Sequence, residues 1–201
     1  MKIILAKNAG FCFGVRRAVE LTEQTAAKVA ESGGAAKVFT FGELIHNRDV
    51  VNRLREAGIA PIESLDEAQR GDYVIIRSHG VPKKIYEELE TRGINFIDAT
   101  CPFVSNIHRI VSAAYERGEQ VFIVGNPEHP ETIGINGHCG NSAIFIRGEE
   151  ELRKLEGRSG CLVVQTTFDS ETFAAMQRVI EREYPRIRVF NSICSLSLMH
   201  I

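Results

Sequence analysis

The sequence has no dominant charge, no long apolar run and no closely spaced cysteine pair, and each absence removes a class of function. Lysine and arginine number 24 against 26 aspartate and glutamate, for a formal net charge of −2 and a pI near 6.3. Nothing therefore draws the chain as a whole to nucleic acid or to an anionic membrane. An anionic ligand would have to be held by local groups. No stretch approaches the roughly 18 consecutive apolar residues of a membrane span, and Met1-Lys2-Ile3-Ile4-Leu5-Ala6-Lys7 is too short in its apolar part for a secretory signal. The expected location is cytoplasmic, with neither membrane nor nucleic acid as partner. Flexible linkers and low-complexity tracts are lacking too. Five cysteines form an odd, widely spaced set in a chain of 201 residues with 44% hydrophobic content, large enough to need no disulfide framework. They are expected to be reduced thiols or part of a metal centre.

Three of those cysteines share a setting. Cys101 ends the buried, strand-like Ile97-Asp98 run and is followed by Pro102, which suits the first position of a helix. Cys12 lies between the strand-like residues 2–6 and a helix, and Cys194 follows the strand-like Arg188-Val189-Phe190. A helix N-terminus offers free backbone N–H groups and a positive dipole end, both of which stabilise a thiolate as metal ligand or nucleophile. Gaps of 89 and 93 residues separate the three, as if one position recurred in a unit of roughly 90 residues, so that three equivalent loops could meet on one axis. Cys139 and Cys161 lack this setting and are read as structural.

The rest of the chain alternates strand, loop and helix. Apolar spacing predicts a helix from Val15 to Val29, stopped at Ser32-Gly33-Gly34, and a strand over residues 37–41. Asn47 caps a helix bearing Val50, Val51 and Leu54. Further strands are expected at residues 73–77, 92–98, 120–124, 143–146 and 161–164, with helices opened by Pro82, Pro102 and Asp169 or Ser170, and a solvated helix over residues 148–155. Pro185 stops the last helix. This order predicts an α/β fold of repeated lobes with mainly parallel sheets and right-handed crossovers, divided near residues 97–101. Ligands of such sheets bind beyond the carboxyl ends of the strands. His46, His79, His129, Glu131 and Thr166 fall there with the three cysteines.

Three thiolates are one short of a four-cysteine zinc or iron–sulfur site, and a site with three protein ligands keeps a position open. In a cubane [4Fe-4S] cluster the fourth iron would then be free to polarise a substrate oxygen while the cluster supplies electrons. His46, His79 and His129 can donate N–H bonds to an anion, with phosphate the obvious candidate beside helix N-termini, and Glu131 can carry a proton. The bland readings stand beside these: a lone cysteine is most often a small buried apolar residue, a loop histidine is usually solvated, and Thr166 and Thr167 can serve turn backbone groups. His108 and His200 keep the bland reading.

Taken in order, Ala9-Gly10-Phe11-Cys12-Phe13-Gly14-Val15, Glu43-Leu44-Ile45-His46-Asn47, Ser78-His79-Gly80-Val81, Asp98-Ala99-Thr100-Cys101-Pro102, His129-Pro130-Glu131, Gln165-Thr166-Thr167 and Ser192-Ile193-Cys194 resemble the 4-hydroxy-3-methylbut-2-enyl diphosphate reductase (LytB) family over nearly the whole chain. The resemblance implies an iron–sulfur oxidoreductase of the last step of the methylerythritol phosphate route of isoprene biosynthesis, removing an allylic hydroxyl to give isopentenyl and dimethylallyl diphosphates. It implies that Cys12, Cys101 and Cys194 hold the [4Fe-4S] cluster, that His46 and His79 grip the diphosphate, and that His129 lines the substrate pocket. It further implies Glu131 as proton donor, Thr166 near the substrate hydroxyl, and ferredoxin or flavodoxin as electron donor. The implied fold has three pseudo-symmetric lobes around the cluster, of which two are present. Residues 1–97 form a first lobe, 98–193 a second, and 194–201 only the start of a third, as in a truncated or frameshifted product. Two other classes fit part of the pattern: a fragment that keeps the fold without catalysis, and a cluster-carrying electron-transfer module. The histidine loops favour the enzyme, because neither alternative needs an anion site.

Overall fold

A computed structural model of the chain describes residues 10–33, 35–45 and 47–194. The expected strand at residues 2–6, His46 and the tail beyond Cys194 lie outside the described residues. The rest contains one order of elements used twice. The first set is α1 (Phe13–Glu31), β1 (Val38–Phe41), α2 (Arg48–Glu56), β2 (Ala60–Ile62), a 3-10 turn (Leu65–Glu67), β3 (Tyr73–Ile76), α3 (Lys83–Arg92) and β4 (Asn95–Asp98). The second is α4 (Pro102–Glu116), β5 (Gln120–Val124), α5 (Pro130–Gly137), β6 (Ile144–Ile146), a 3-10 helix (Glu149–Leu155), β7 (Gly160–Val164), α6 (Ser170–Glu183) and β8 (Ile187–Phe190). Each set builds a four-stranded parallel sheet, in the orders β2-β1-β3-β4 and β6-β5-β7-β8. The strand order reverses between β1 and β3 in one sheet and between β5 and β7 in the other, which is where such sheets open a crevice.

The central strands are near-continuous apolar runs because both faces are covered. Side chains alternate: Ile75 faces Ala18, Val19 and Leu54 of α1 and α2, while Val74 and Ile76 face Leu89 of α3. In the second sheet Phe122, Val124, Leu162 and Val164 meet Phe173 and Ile180 of α6, and Val121, Ile123 and Val163 meet Ile107 and Val111 of α4. The helix that Cys101 opens thus covers the second sheet, as the helix that Cys12 opens covers the first. Local signals set the helix ends. Asn47 accepts from the Val50 N–H and Asp169 from the Thr172 N–H, and Gly93, at φ +66°, ends α3 in the left-handed conformation that glycine adopts without strain.

Four local expectations change. The strand expected over 92–98 begins at Asn95, because α3 runs through Arg92. The segment expected as a solvated helix is a 3-10 helix with Leu152 and Leu155 buried. Strand β2 was not legible, being three residues long with Pro61 at its centre, a pattern confined to sheet edges. Helix α5 also escaped, although Pro130 at its first position is a start signal. No helix among the described residues is long and apolar enough to cross a membrane.

Candidate functional site

Both cysteines that open helices occupy the residue before the first turn, Cys12 at α1 and Cys101 at α4. Burial pushes the Cys101 thiol up, while the Phe103 and Val104 N–H groups at the start of α4 pull it back. The neighbouring Cys194 and Cys12 thiols add a further upward push on Cys101. Cys101 is anchored through its own N–H to the Ser78 carbonyl at 2.9 Å, and the Cys194 N–H donates to the Thr166 carbonyl at 2.8 Å. Each of these cysteines is thereby tied to the loop after the third strand of its own sheet. Arg17 of α1 reaches the carbonyls of Thr100 at 3.1 Å and Asp98 at 3.2 Å, fastening the helix of Cys12 to the turn of Cys101.

All three cysteines line one cavity of about 170 Å3, together with Ser78, His79, Glu131 and Thr166. Thr167, Gly14, Val15, Phe103 and Val104 complete its wall. Glycine at position 14 leaves room for the Cys101 Sγ, since a Cβ there would lie 2.7 Å from it and the sulfur would have to move aside.

Glu131 sits in the first turn of α5 with 1% of its surface exposed. Its two carboxylate oxygens accept from the Thr166 N–H and from the Thr166 hydroxyl, both at 2.6 Å. Burial raises its pKa, and the Thr166 bonds offset part of that rise. The carboxyl is thus biased toward its protonated form at the edge of a cavity, the character of a proton donor. His129 caps α5: its Nδ1 accepts from the Glu131 N–H at 3.2 Å. A ring nitrogen that accepts carries no proton, so the ring proton of neutral His129 belongs on Nε2. The His79 and His129 rings meet edge to face at 5.6 Å.

Of the residues singled out in the sequence, Cys12, Cys101, Cys194, His79, Glu131 and Thr166 meet in the cavity. His129 reaches it through His79 and through the helix that holds Glu131, without lining the cavity itself. His46 lies outside the described residues. Cys139 and Cys161 are fully buried in the second core. Ser78, Gly14 and Thr167 also form the wall; Ser78 and Thr167 are neighbours of recognised residues, whereas the role of Gly14 depends on a close approach between α1 and α4 that sequence spacing does not encode.

Among the described residues no group of three His, Cys, Asp or Glu side chains is placed to hold a single metal ion. A polynuclear iron–sulfur cluster is wider than one ion and takes its thiolate ligands from farther apart. Three soft donors around one cavity, with the Cβ that would crowd them missing at Gly14, suit such a cluster.

The LytB protein family matches residues 3–198. A 4-hydroxy-3-methylbut-2-enyl diphosphate reductase of Alkaliphilus oremlandii is 39% identical over 196 residues, which are 97% of this chain and 68% of that protein. The protein of the same name from Clostridium perfringens (strain 13) is 46% identical over 195 residues, 96% of this chain and 67% of the relative. A solved structure of (E)-4-hydroxy-3-methyl-but-2-enyl diphosphate reductase, described as the terminal enzyme of the non-mevalonate pathway, superposes with a TM-score of 0.82 at 38% identity. It is matched over 98% of this chain and 69% of its own. The chain spans about two-thirds of the length of these relatives.

Proposed function

The chain belongs to the LytB protein family, and from that premise we propose that it reduces 4-hydroxy-3-methylbut-2-enyl diphosphate to isopentenyl and dimethylallyl diphosphates. The allylic C–O bond breaks and a C–H bond forms, two electrons and two protons enter, and the oxygen leaves as water. Cys12, Cys101 and Cys194 would hold a [4Fe-4S] cluster. When bound, that cluster supplies the electrons, drawn from a ferredoxin or flavodoxin, and a Lewis-acid position facing the substrate.

The protein's own groups do the rest. Glu131, held toward its protonated form by burial, donates a proton to the departing hydroxyl. Thr166, whose hydroxyl lies 2.6 Å from the carboxylate, orients that proton and accepts or donates as Glu131 changes state. His79, with His129 against it, contributes N–H donors to the diphosphate, and His46, read from the sequence, would add another. Val15 and Val104 give the cavity apolar wall for the hydrocarbon end. What carries the reading is the convergence of three cysteines from three distant segments with a buried carboxyl and its hydroxyl partner on one cavity.

The test is iron and acid-labile sulfide content with an EPR spectrum on protein reconstituted without oxygen, before and after adding the hydroxylated diphosphate, with Cys194→Ser alongside. About four irons per chain, a signal shifted by substrate and loss of the cluster in the variant are expected. A cluster indifferent to both substrate and Cys194 would leave an electron carrier, and absence of any cluster would leave the fold without this chemistry.

A further inference from the structure

His79 follows β3 of the first sheet and Glu131 stands in α5 after β5 of the second, so their separation depends on how these units are held together. Against both the His79 loop, at Gly80, and α5, at Gly134, lies one ring of a stacked pair of imidazoles. His108, on the inner face of α4, stands 4.0 Å from His138 at the end of α5, ring centroid to centroid, with the planes 20° apart. His138 is fixed by its Nε2–H donating to the Val81 carbonyl at 3.2 Å and by the Ser112 hydroxyl 3.4 Å from its Nδ1. Burial lowers both rings' pKa, that of His108 to about 3 with His138 adding to the effect, so the stack is uncharged at neutral pH.

The loop that carries His79 rests on this stack. Gly80 has φ +71°, and a Cβ there would meet the His108 Cε1 at 2.4 Å. Gly134 of α5 closes the gap from the other side, where an added Cβ would lie 3.5 Å from both the Gly80 carbonyl carbon and the His108 Nε2. His108 is 6% exposed, and its Nε2 has no hydrogen-bond partner among the described residues. Its place is therefore set by shape and not by a bond. On the loop's far side the Cys101 N–H holds the Ser78 carbonyl. The loop is gripped by α4 at both ends, at Cys101 and at His108, seven residues apart on one helix.

We infer that His108 is a positioning residue: its flat ring is the platform that sets the Ser78-His79-Gly80 loop, and hence His79, at the right distance from Glu131 on α5. The inference rests on the reading of His79 as a diphosphate contact. The experiment uses the full chain with nitrogen-15-labelled histidine, following the His79 imidazole resonance, assigned by its loss in His79→Asn, and titrating inorganic pyrophosphate.

His108→Ala should shift the His79 resonance and weaken pyrophosphate binding by about tenfold, the scale of a misplaced contact. His108→Phe, flat and always uncharged, should restore the resonance and bring affinity to within about threefold of the starting protein. Gly80→Ala, which drives a methyl into the same ring from above and strains a left-handed backbone position, should move the same resonance with His108 itself unsubstituted. An unmoved His79 resonance in folded His108→Ala would overturn the inference, as would equal losses in the Phe and Ala variants. Should His108→Ala fail to fold, an unmoved resonance in Gly80→Ala overturns it. Should the unsubstituted protein bind no pyrophosphate while the His79 resonance still responds to His108→Ala and recovers in His108→Phe, the platform stands and the diphosphate role of His79 falls.

Discussion

The two sheets share a strand order but close their carboxyl ends by different means. In the second, side chains do the closing: Glu131 takes both Thr166 donors, Gln165 Oε1 accepts from the Asn126 N–H at 3.1 Å, and the Ser192 hydroxyl accepts from the Val164 N–H at 2.9 Å. The first edge has the same backbone bond, Cys101 N–H on the Ser78 carbonyl as Cys194 N–H on the Thr166 carbonyl, but its side chains donate to carbonyls: Arg17 to Thr100 and Asp98, the Thr40 hydroxyl to Gly42 at 2.8 Å and the Ser78 hydroxyl to Leu44 at 3.4 Å. A repeated scaffold thus presents two kinds of edge. The second edge can keep a carboxyl buried, because every one of its oxygens has a partner. The first edge brings the His79 side chain to the wall of the cavity.

Removing the carboxyl from the second edge should have the largest effect. Glu131→Gln keeps the shape and can still accept from the Thr166 N–H, so the fold should persist while turnover falls by about a hundredfold to a thousandfold. The pH profile separates this from a simple packing loss. Because burial raises the Glu131 pKa, the protonated donor is present below the folded value and disappears as pH rises through it. Turnover should therefore fall on the alkaline side, and Glu131→Gln should flatten that limb. The same shift makes stability from this group fully present below its ordinary carboxylate value and lost as pH climbs through the raised one. Urea midpoints should accordingly fall with pH more in the original protein than in Glu131→Gln.

Next in size is a change at the first edge that spares the fold and disturbs the metal centre. Gly14→Ala puts a methyl 2.7 Å from the Cys101 Sγ, and the sulfur, being a side-chain end, can move aside at the cost of a displaced rotamer, about 0.5 to 1.5 kcal/mol. The thermal midpoint should change little, yet iron and sulfide per chain should drop if Cys101 is a ligand, because its sulfur has turned away. Gly58→Ala is the control for an added methyl with no neighbour: nothing lies within 4 Å of the added carbon, so iron content should hold even though its φ of +81° carries a backbone strain that Gly14, within α1, lacks.

Much of this contrast was legible in the sequence. Strands β3, β5 and β7 announced themselves as uninterrupted apolar runs, and the cysteines and histidines could be placed on loops because strand and helix periodicity changed on either side of them. That Cys101 and Cys194 end corresponding strands follows from counting residues. What could not be read were contacts made across elements far apart in the chain. The bond between Glu131 and Thr166 joins residues 35 positions apart, and Arg17 caps carbonyls more than 80 positions away. His108 is one polar residue on an otherwise apolar helical face, and nothing local distinguishes a ring that supports a loop from one that merely fills the core. Helix α5 was hidden by composition, since its Gly134 and Gly137 depress helical propensity while allowing the close approach of Gly80 and Pro82.

Arg17→Ala tests the first edge without touching a thiol. The guanidinium gives one N–H to Thr100 and another to Asp98, and these carbonyls lie on the turn that delivers Cys101. Losing charge-assisted bonds of this kind should cost about 1 to 2 kcal/mol, read from denaturant midpoints, and should slow cluster reconstitution by leaving α1, and with it Cys12, less firmly set against α4. If Arg17→Ala reconstitutes as fast as the original protein, the backbone closure at Ser78 and Cys101 is enough by itself and the arginine serves stability alone.

The smallest effect should come from an ion pair of similar appearance outside both edges. Arg53 and Glu23 join α2 to α1 at 2.9 Å, but their side chains are 59% and 50% exposed. Water already solvates both charges, so the Coulomb gain is screened and the pair must repay the freezing of two long side chains. Arg53→Ala should shift stability by less than about 0.5 kcal/mol, diminishing with added salt, and leave iron content and substrate response unchanged. Both arginines hold α1 in place, so the comparison isolates what matters: Arg17 ends on backbone carbonyls at the turn of a proposed ligand cysteine, whereas Arg53 of α2 ends on the solvated Glu23 carboxylate. A loss of cluster in Arg53→Ala equal to that in Arg17→Ala would mean that the general docking of α1, and not its grip on the Cys101 turn, sets Cys12 in place.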